Sequence, residues 1–336
     1  MIRALEAEPG CQVQVVALDQ PEFRGMSLGM SVRMRLEADR STAETIDPES
    51  AVLLRDADVV IADWADKGAV WASLLVPRDV RLVIRIHSVD VLSGPIHLID
   101  WSAVDAVIAV SPHIRDVFRA VLGARVEFLD VRVVTNRIVT EKFDTTKSQS
   151  AEWTLGLVGW GQHVKDPVLA LEVLARLRQR DERWRLKLIG ADFGHTQAEH
   201  MDRHGSEFMH RALEPDVVDA IEYAGFTRRL PTHLRDVGYI LSTSLRESCP
   251  VGVLEGVASG AVPVVREWPV FARLTAAHRL FPERFVFGTA AEAADIIEAN
   301  REGRSERAAG AREEMADLFS VAKTEGRLVE TILGRG

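Results

Sequence analysis

Two acidic residues separated by seven positions stand where a strand should end and a helix should begin. Glu247 lies in a short Pro-containing loop of the segment STSLRESCPVGVLEGVASGAVPVVR, and Glu255 lies in the first turns of the helix predicted over 252–259. Carboxylates accept hydrogen bonds from vicinal sugar hydroxyls, and this transition lets both approach one ligand. The spacing is equally compatible with a capping role for Glu247 and a solvated helix residue at Glu255.

The backbone between these two carboxylates offers a place for an anion. The N–H groups of Cys249, Val251 and Gly252 fall at the predicted helix N-terminus, where unpaired donors and the helix dipole favour a phosphate. Gly252 allows the backbone to approach a ligand closely. Cys249 has no matched base nearby, so a nucleophilic role is not predicted for it.

A glycine-containing loop in LGLVGWGQHVKDP, residues 155–167, is the second candidate for phosphate chemistry. Gly159 and Gly161 follow a predicted strand, and Lys165 lies near the start of the next helix, where an ammonium group can face a polyphosphate. The pattern is neither G-x-G-x-x-G nor a P-loop, which disfavours a dinucleotide-dependent dehydrogenase. An ordinary strand-to-helix turn explains the same residues.

Metal binding is not predicted. His200 and His204 are four residues apart with Asp202 between them, but they lack the H-E-x-x-H arrangement, and an exposed polar helix accounts for them. The two cysteines, Cys11 and Cys249, lack metal-site spacing and are too few for a disulfide framework, which fits a reducing compartment.

The elements that must position these residues alternate along the chain. Short β-branched runs are followed by longer segments of helical period, which is typical of parallel sheets built from strand–helix–strand units. The predicted strands are 13–19, 58–63, 81–87, 103–111, 131–136, 153–159, 185–190, 221–225, 237–243, 262–266 and 284–288. The predicted helices include 112–122, 167–179, 252–259, 291–301 and 321–333.

Two α/β domains are therefore expected. The polar segment 140–152 interrupts the pattern and is interpreted as an interdomain linker. The predicted division is a first domain over 1–145, a second over 146–318, and a C-terminal helical segment over 319–336 that would pack back toward the first domain. Two such domains facing one another would form a cleft at the carboxyl ends of their strands.

Charge and hydropathy exclude several partners. The 336 residues contain 41 Lys and Arg against 50 Asp and Glu, a net charge of −9, so no global basic field favours nucleic acid. At most a peripheral contact with membranes is expected, because no uncharged apolar run is long enough to span a bilayer. The N-terminal residues lack the apolar core of a signal peptide, and a cytoplasmic location is predicted.

Together these segments resemble the retaining GT-B glycosyltransferases of family four, the "glycosyl transferases group 1" type. The E-x7-E pair is carried by Glu247 and Glu255, EGVASGAVPVV is similar to the family's EAMASGLPVV, and VGWGQHVKD stands where the family has VGRL…KG. RLKLIGADFG and IEYAGFTRRLPTHLRDVGYILSTS also match family segments. The first half agrees more loosely, through DVVIAD, RIHSVD, DAVIAVSPHIRD and VVTNRIVTEKF.

The resemblance implies a GT-B fold, with two Rossmann-like doubly wound domains facing a cleft and a first domain that lacks its opening strand and helix. It implies transfer of a hexose from a nucleotide-diphosphate sugar to a hydroxyl acceptor on a glycan, glycolipid or protein, with retention of anomeric configuration. Such an activity serves polysaccharide or glycoconjugate biosynthesis. No cofactor and no metal are expected, since Lys165 and the helix terminus at Val251 would stabilise the leaving diphosphate.

The same resemblance implies the roles of the site residues. His87, Lys165 and Glu247 are the expected catalytic residues: Glu247 would hold sugar hydroxyls, and His87 would face the sugar across the cleft. Glu255 would hold the ribose. The expected donor-binding residues are Gly159, Gly161, Lys165, Gly190, Gly225, Phe226, Glu247, Ser248, Cys249, Pro250, Val251, Gly252 and Glu255, with Gly190, Gly225 and Phe226 lining the base pocket.

Three departures from the family pattern matter: two substitutions and the shortened first domain. Trp160 stands at the family's phosphate-binding Arg position, and Arg137 stands at its linker glycine. With the shortened first domain, Trp160 favours a second hypothesis, a nucleotide-sugar-binding or scaffolding relative that has lost turnover. A third, a sugar epimerase of the same fold, would need additional acid/base carboxylates, and no matched set is found.

Overall fold

The computed structural model describes residues 1–16, 27–37, 40–143, 145–193, 199–319 and 321–335. The chain divides into two compact units, residues 1–136 with 322–336, and residues 137–321. Residues 140–152, interpreted from sequence as a linker, therefore lie in the second unit. They are attached there because Lys147 Nζ donates hydrogen bonds of 2.7–2.9 Å to the Leu234 and Val237 carbonyls and to Ser259 Oγ.

The first unit contains a parallel sheet whose four described strands follow chain order. The strands are β1 (Val59–Ala62), β2 (Arg81–Ile86), β3 (Ala106–Ala109) and β4 (Asp130–Val133). The helices are α1 (Ile2–Glu6), α2 (Leu28–Glu37), α3 (Arg40–Ile46), α4 (Pro48–Asp56), α5 (Lys67–Leu75), α6 (Ser88–Val91) and α7 (Pro112–Leu122).

Local sequence signals account for most of these elements. Helix α7 begins at Pro112, because proline suits a first helical position, and it ends at Gly123, whose φ of +53° favours glycine. The prediction of a helix over 112–122 is confirmed. The strand predicted over 13–19 is not found: residues 13–16 form no strand, and residues 17–19 lie outside the described residues.

The second unit contains a six-stranded parallel sheet in the order β10-β9-β8-β5-β6-β7. Its strands are β5 (Thr154–Val158), β6 (Arg185–Ile189), β7 (Ile221–Gly225), β8 (Tyr239–Ser242), β9 (Val262–Arg266) and β10 (Val286–Phe287). Its helices are α8 (Pro167–Arg178), α9 (Glu199–Ala212), α10 (Leu230–Leu234), α11 (Val251–Ala258), α12 (Ala290–Ala299), α13 (Arg304–Glu314) and α14 (Ala316–Phe319).

The last helix, α15 (Val321–Leu333), packs on the sheet of the first unit. Its apolar residues Leu328, Val329 and Ile332 share a core cluster with strand residues that include Val83 and Ile108. The Arg81 guanidinium donates hydrogen bonds to the carbonyls of Thr331 and Ile332 at the end of this helix. None of the helices in the described part of the chain is long and apolar enough to cross a bilayer.

The order of the second sheet determines where a ligand site can form. The chain proceeds from β5 to β6 and β7 on one side of the sheet, and from β8 to β9 and β10 on the other. Strands β5 and β8 are neighbours, so the direction of winding reverses between them. Loops at the carboxyl ends of two such strands diverge from one another and leave a crevice. The loop after β5 carries Lys165, and the loop after β8 carries Glu247.

Candidate functional site

An ion pair joins the two loops at this reversal. Lys165 Nζ donates a hydrogen bond of 2.6 Å to Glu247 Oε1, and Ser244 Oγ donates to the same oxygen at 2.6 Å. The side chains are mostly buried, with 21% of Lys165 and 11% of Glu247 exposed. The structure therefore brings together two charged residues that the sequence analysis took from separate segments.

Glycines allow the loop after β5 to pack against its neighbours. Gly159 follows the strand at a φ of +75°, and its N–H donates to the Ile189 carbonyl at 2.8 Å. A Cβ atom on Gly161 would lie 2.3 Å from the Ala191 oxygen, so this close approach excludes any side chain. Gly190 lies against Gly159, because a Cβ there would be 3.2 Å from the Gly159 Cα. Three predicted donor-binding glycines thus lie at one edge of the sheet.

Two hydrogen bonds attach the loop of Lys165 to the loop of Glu247. Thr243 Oγ1 donates to the Lys165 carbonyl at 2.7 Å, and the Leu245 N–H donates to the Val164 carbonyl at 2.8 Å. Each hydrogen bond joins a residue shortly before Glu247 to Lys165 or to its neighbour Val164. The backbone of one loop is thereby held against that of the other, which keeps the Lys165 and Glu247 side chains within reach.

Helix α11 begins against the end of β5. A Cβ atom on Gly252 would lie 2.8 Å from Val158 Cβ, so the first turn of the helix packs directly on the strand. Of the predicted donor-binding residues before it, Cys249 and Pro250 are buried and Ser248 is half-buried. The Val251 N–H donates to the Cys249 carbonyl at 2.9 Å, so this donor, expected to face an anion, is already engaged within the turn.

Glu255 is a half-buried carboxyl one turn into α11. Burial raises the pKa of its side chain to about 7, because the ionised form loses hydration inside the protein. Hydroxyl groups of a ligand that donate to this carboxylate would favour the ionised form.

Gly190, Gly225 and Phe226, predicted to line a base pocket, do line one cavity of about 1070 Å³ within the second unit. Phe226 is 75% exposed there. Other lining residues include Met209 of α9, Leu213 directly after that helix, and Tyr223 of the edge strand β7. Lys165, Glu247 and Gly252 instead line a separate, narrow recess with Val158 and Pro250.

Trp160 belongs to the core and not to the phosphate loop surface. Its buried ring packs against Phe193, Phe208 and Tyr223 at centroid distances of 5.3, 5.0 and 5.7 Å. Trp160 also lines the cavity that contains Gly190, Gly225 and Phe226. The position that carries an arginine in the family pattern thus adds no charge to the site.

His87 lies in the first unit, directly after β2. Its ring stacks on Trp64, with centroids 4.3 Å apart and planes at 23°. Burial and the nearby positive charge of Arg85 lower the pKa of His87 to about 4, so the imidazole is neutral at pH 7. Arg85 itself pairs with Asp63 at 2.9 Å and donates to the Asn136 side chain.

The histidine pair considered for metal binding does not form a site in the described part of the chain. The side chains of His200 and Asp202 lie outside the described residues. The His204 ring contacts His163 at a centroid distance of 4.5 Å, and burial lowers the pKa of His204. Among the described residues, no group of three His, Cys, Asp or Glu side chains is arranged to hold a metal ion.

Sequence reasoning missed four residues around the ion pair: Thr243, Ser244, Asp166 and Arg266. The signal for Asp166 was available, because Asp directly before Pro is typical of a helix start, and Asp166 caps α8. Arg266, at the end of the buried strand β9, has no such pattern. Its partner Asp166 is 100 residues away in the sequence.

Comparisons with known proteins agree on the architecture. No family model matches the chain, and no curated protein matches it. Among solved structures, HepE of Anabaena in complex with UDP and glucose is 18% identical to this chain with a TM-score of 0.67. The match covers 85% of this chain and 80% of HepE. A UDP-forming α,α-trehalose-phosphate synthase from Burkholderia xenovorans is 14% identical with a TM-score of 0.65. The match covers 87% of this chain and 77% of the synthase.

A glycosyltransferase from Rickettsia africae is 13% identical with a TM-score of 0.63, and the match covers 100% of this chain and 88% of its own. The chain has the GT-B fold. Its two units, each with a parallel sheet, correspond to the two Rossmann-like domains of that fold, which confirms the predicted fold class. At identities of 13 to 18%, the likeness establishes the fold alone, because one fold can carry many chemistries.

Proposed function

We propose that this GT-B protein transfers a hexose from a nucleoside-diphosphate sugar to a hydroxyl acceptor, with retention of anomeric configuration and without a metal. The proposal is carried by the Lys165–Glu247 pair at the β5–β8 reversal, where the nitrogen and oxygen are 2.6 Å apart. A cation for phosphate and a carboxylate for sugar hydroxyls are the two groups that such a donor requires.

Ligands of structural neighbours support the donor class. HepE structures contain UDP, UDP with glucose, and UDP-glucose, and the Burkholderia xenovorans enzyme is described as UDP-forming. UDP is therefore the first nucleotide to use as a probe for this chain. The cavity lined by Gly190, Gly225 and Phe226 would take the base, since aromatic faces and exposed backbone edges suit a planar heterocycle.

In the proposed reaction, the bond between the anomeric carbon and the diphosphate oxygen breaks, and the diphosphate leaves with the electron pair. Lys165 would donate to the departing phosphate and stabilise its growing charge. Glu247 would accept hydrogen bonds from sugar hydroxyls and hold the ring in place. The acceptor hydroxyl attacks from the face that the diphosphate leaves, and its proton passes to a phosphate oxygen, so configuration is retained.

The alternative of a binding relative without turnover is favoured by one observation. The Trp160 ring is packed in the core, so the loop lacks the guanidinium that the family pattern places at that position. A protein of this kind would bind nucleotide sugars through the same residues. It would differ in the rate at which the diphosphate departs.

Transfer and hydrolysis assays with a panel of nucleoside-diphosphate hexoses distinguish the two. The wild type should release nucleoside diphosphate, Glu247→Ala should lose this activity, and Arg178→Ala, at the far end of α8, should retain it. Addition of EDTA should leave the rate unchanged, and NMR of the first product should show the anomer of the donor. Nucleotide binding without any Glu247-dependent turnover would establish the binding relative instead.

A further inference from the structure

We propose that Arg266 is a positioning residue for Lys165, holding the phosphate-binding loop in the conformation that aims the ammonium group at the donor. This inference rests on the proposed function, because it gives Arg266 a role in binding the nucleoside diphosphate. It concerns a residue that neither the glycine loop nor the E-x7-E pair contains. Three contacts carry it.

The Arg266 guanidinium bridges the two loops of the site. Its Nη1 donates to Asp166 Oδ2 at 2.8 Å and to the Thr243 carbonyl at 3.1 Å. The Arg266 and Asp166 side chains are 17% and 20% exposed. Charge-assisted hydrogen bonds that are this well shielded from water are stronger and more directional than surface ion pairs.

Asp166 has an uncommon backbone conformation that the ion pair helps to hold. It directly follows Lys165 and has φ +44° and ψ +63°, a left-handed conformation that residues with a Cβ rarely adopt. Its other carboxylate oxygen, Oδ1, accepts a hydrogen bond of 3.4 Å from the Leu169 N–H at the start of α8. Because Asp166 turns the chain here, its conformation sets the direction in which Lys165 leaves the backbone.

Thr243 provides the second connection from Arg266 to Lys165. Its carbonyl accepts from Arg266, and its hydroxyl donates to the Lys165 carbonyl at 2.7 Å. Arg266 therefore contacts the residue that follows Lys165 and the residue that fixes the Lys165 peptide. Without the guanidinium, the Asp166 carboxylate loses its partner, and both constraints on the Lys165 backbone weaken.

Arg266→Ala and Arg266→Lys test this role, with Arg178→Ala as the matched control. Arg178 is a similarly buried arginine, 11% exposed, that pairs with Asp219. It lies at the opposite end of α8, about 18 Å from the loop at 1.5 Å per residue. The measurements are UDP affinity by calorimetry, donor kcat and KM, and the melting temperature of each variant.

We expect Arg266→Ala to weaken UDP binding by about tenfold and to lower kcat by about tenfold or more, in keeping with a displaced cation. Arg266→Lys should recover part of the loss, because an ammonium group can reach one partner but not both. Arg178→Ala should lower the melting temperature and leave UDP affinity unchanged.

The outcomes separate this inference from the proposed function. If wild type binds UDP and Lys165→Ala does not, but Arg266→Ala keeps wild-type affinity and kcat, the positioning role is overturned while the proposed function stands. Equal losses of affinity in Arg266→Ala and Arg178→Ala would show a general loss of stability and would also overturn it. If the wild type binds no nucleoside diphosphate, the proposed function fails, and the inference fails with it.

Discussion

The carboxyl edges of the two sheets differ in chemistry although both sheets are parallel. In the second unit, opposite charges converge there, with Lys165 on Glu247 and Arg266 on Asp166. In the first unit, a neutral imidazole stacks on Trp64, which is 47% exposed. The second edge therefore carries two ion pairs, whereas the first combines one ion pair, Arg85 with Asp63, with a stacked aromatic pair.

Strand order explains part of this difference. The second sheet reverses its winding between β5 and β8, so loops that are 82 residues apart meet at one place. The described strands of the first sheet follow chain order. Its edge is instead organised by one side chain, Arg85, which bridges Asp63 and Asn136. Five predictions test the separate roles of the two edges and the state of Glu255.

The largest effect is expected for Lys165→Ala. Loss of the ammonium group should lower kcat at least about a hundredfold, the usual result of removing one group that stabilises transition-state charge. UDP affinity should fall as well, because the diphosphate loses the ammonium group that would pair with it. Steady-state kinetics and calorimetry measure both quantities. Wild-type kinetics in this variant would contradict a phosphate-binding role for the second edge.

A single methyl group should disrupt the glycine loop. Gly161→Ala places a Cβ 2.3 Å from the Ala191 oxygen, so the loop must shift, and UDP affinity should fall by about tenfold or more. Gly310→Ala is the control, because nothing lies within 4 Å of a Cβ there and the residue is inside helix α13. That variant should be about 0.5–1 kcal/mol more stable and bind UDP normally. Equal UDP affinities in the two variants would contradict a role of the Gly161 loop in nucleotide binding.

Glu255 should impose a pH dependence on stability. Its pKa is raised from 4.5 to about 7 in the folded protein, so the folded state holds the proton more tightly than the unfolded state. The free energy of unfolding should therefore fall, by about 2 kcal/mol, as pH rises from about 4.5 to about 7. Urea denaturation of wild type and Glu255→Gln measures this, and the Gln variant should lose that slope.

The same substitution sharpens the assignment of Glu255 to the donor. A carboxylate that accepts from ribose hydroxyls binds best when ionised, so UDP affinity of the wild type should rise between pH 6 and 8 by more than that of Glu255→Gln. The comparison removes the contribution of phosphate ionisation, which both proteins share. Identical pH profiles would exclude contact between Glu255 and the nucleotide.

The smallest effect on nucleotide binding is expected at the first edge. His87→Phe keeps a ring against Trp64 and removes only the imidazole nitrogens, so UDP affinity should stay within about twofold while kcat falls a few-fold. Because the pKa of His87 is about 4, its titration should not affect the wild-type rate between pH 6 and 8. A loss of UDP affinity as large as in Lys165→Ala would show that the two edges do not have separate roles.

The elements themselves were largely readable from the sequence. Strands predicted over 221–225 and 262–266 have the bounds of β7 and β9. Short apolar runs bounded by turn residues indicate both the type and the ends of a strand. The strand predicted over 13–19 failed on residues 13–16, since hydrophobic alternation over so short a segment does not require pairing. Trp160 stands at the family's phosphate-binding Arg position, and only the structure shows that its side chain packs in the core.

The amino-acid sequence by itself determined which positions had to be glycine and which carried charge, because close backbone approach and ionisation are properties of residue types. It also determined the alternation of strands and helices through local periodicity. Only the tertiary structure decided that Lys165 meets Glu247 and that Arg266 reaches Asp166. These contacts depend on the order of strands in the sheet, which arises from packing among residues far apart in the chain.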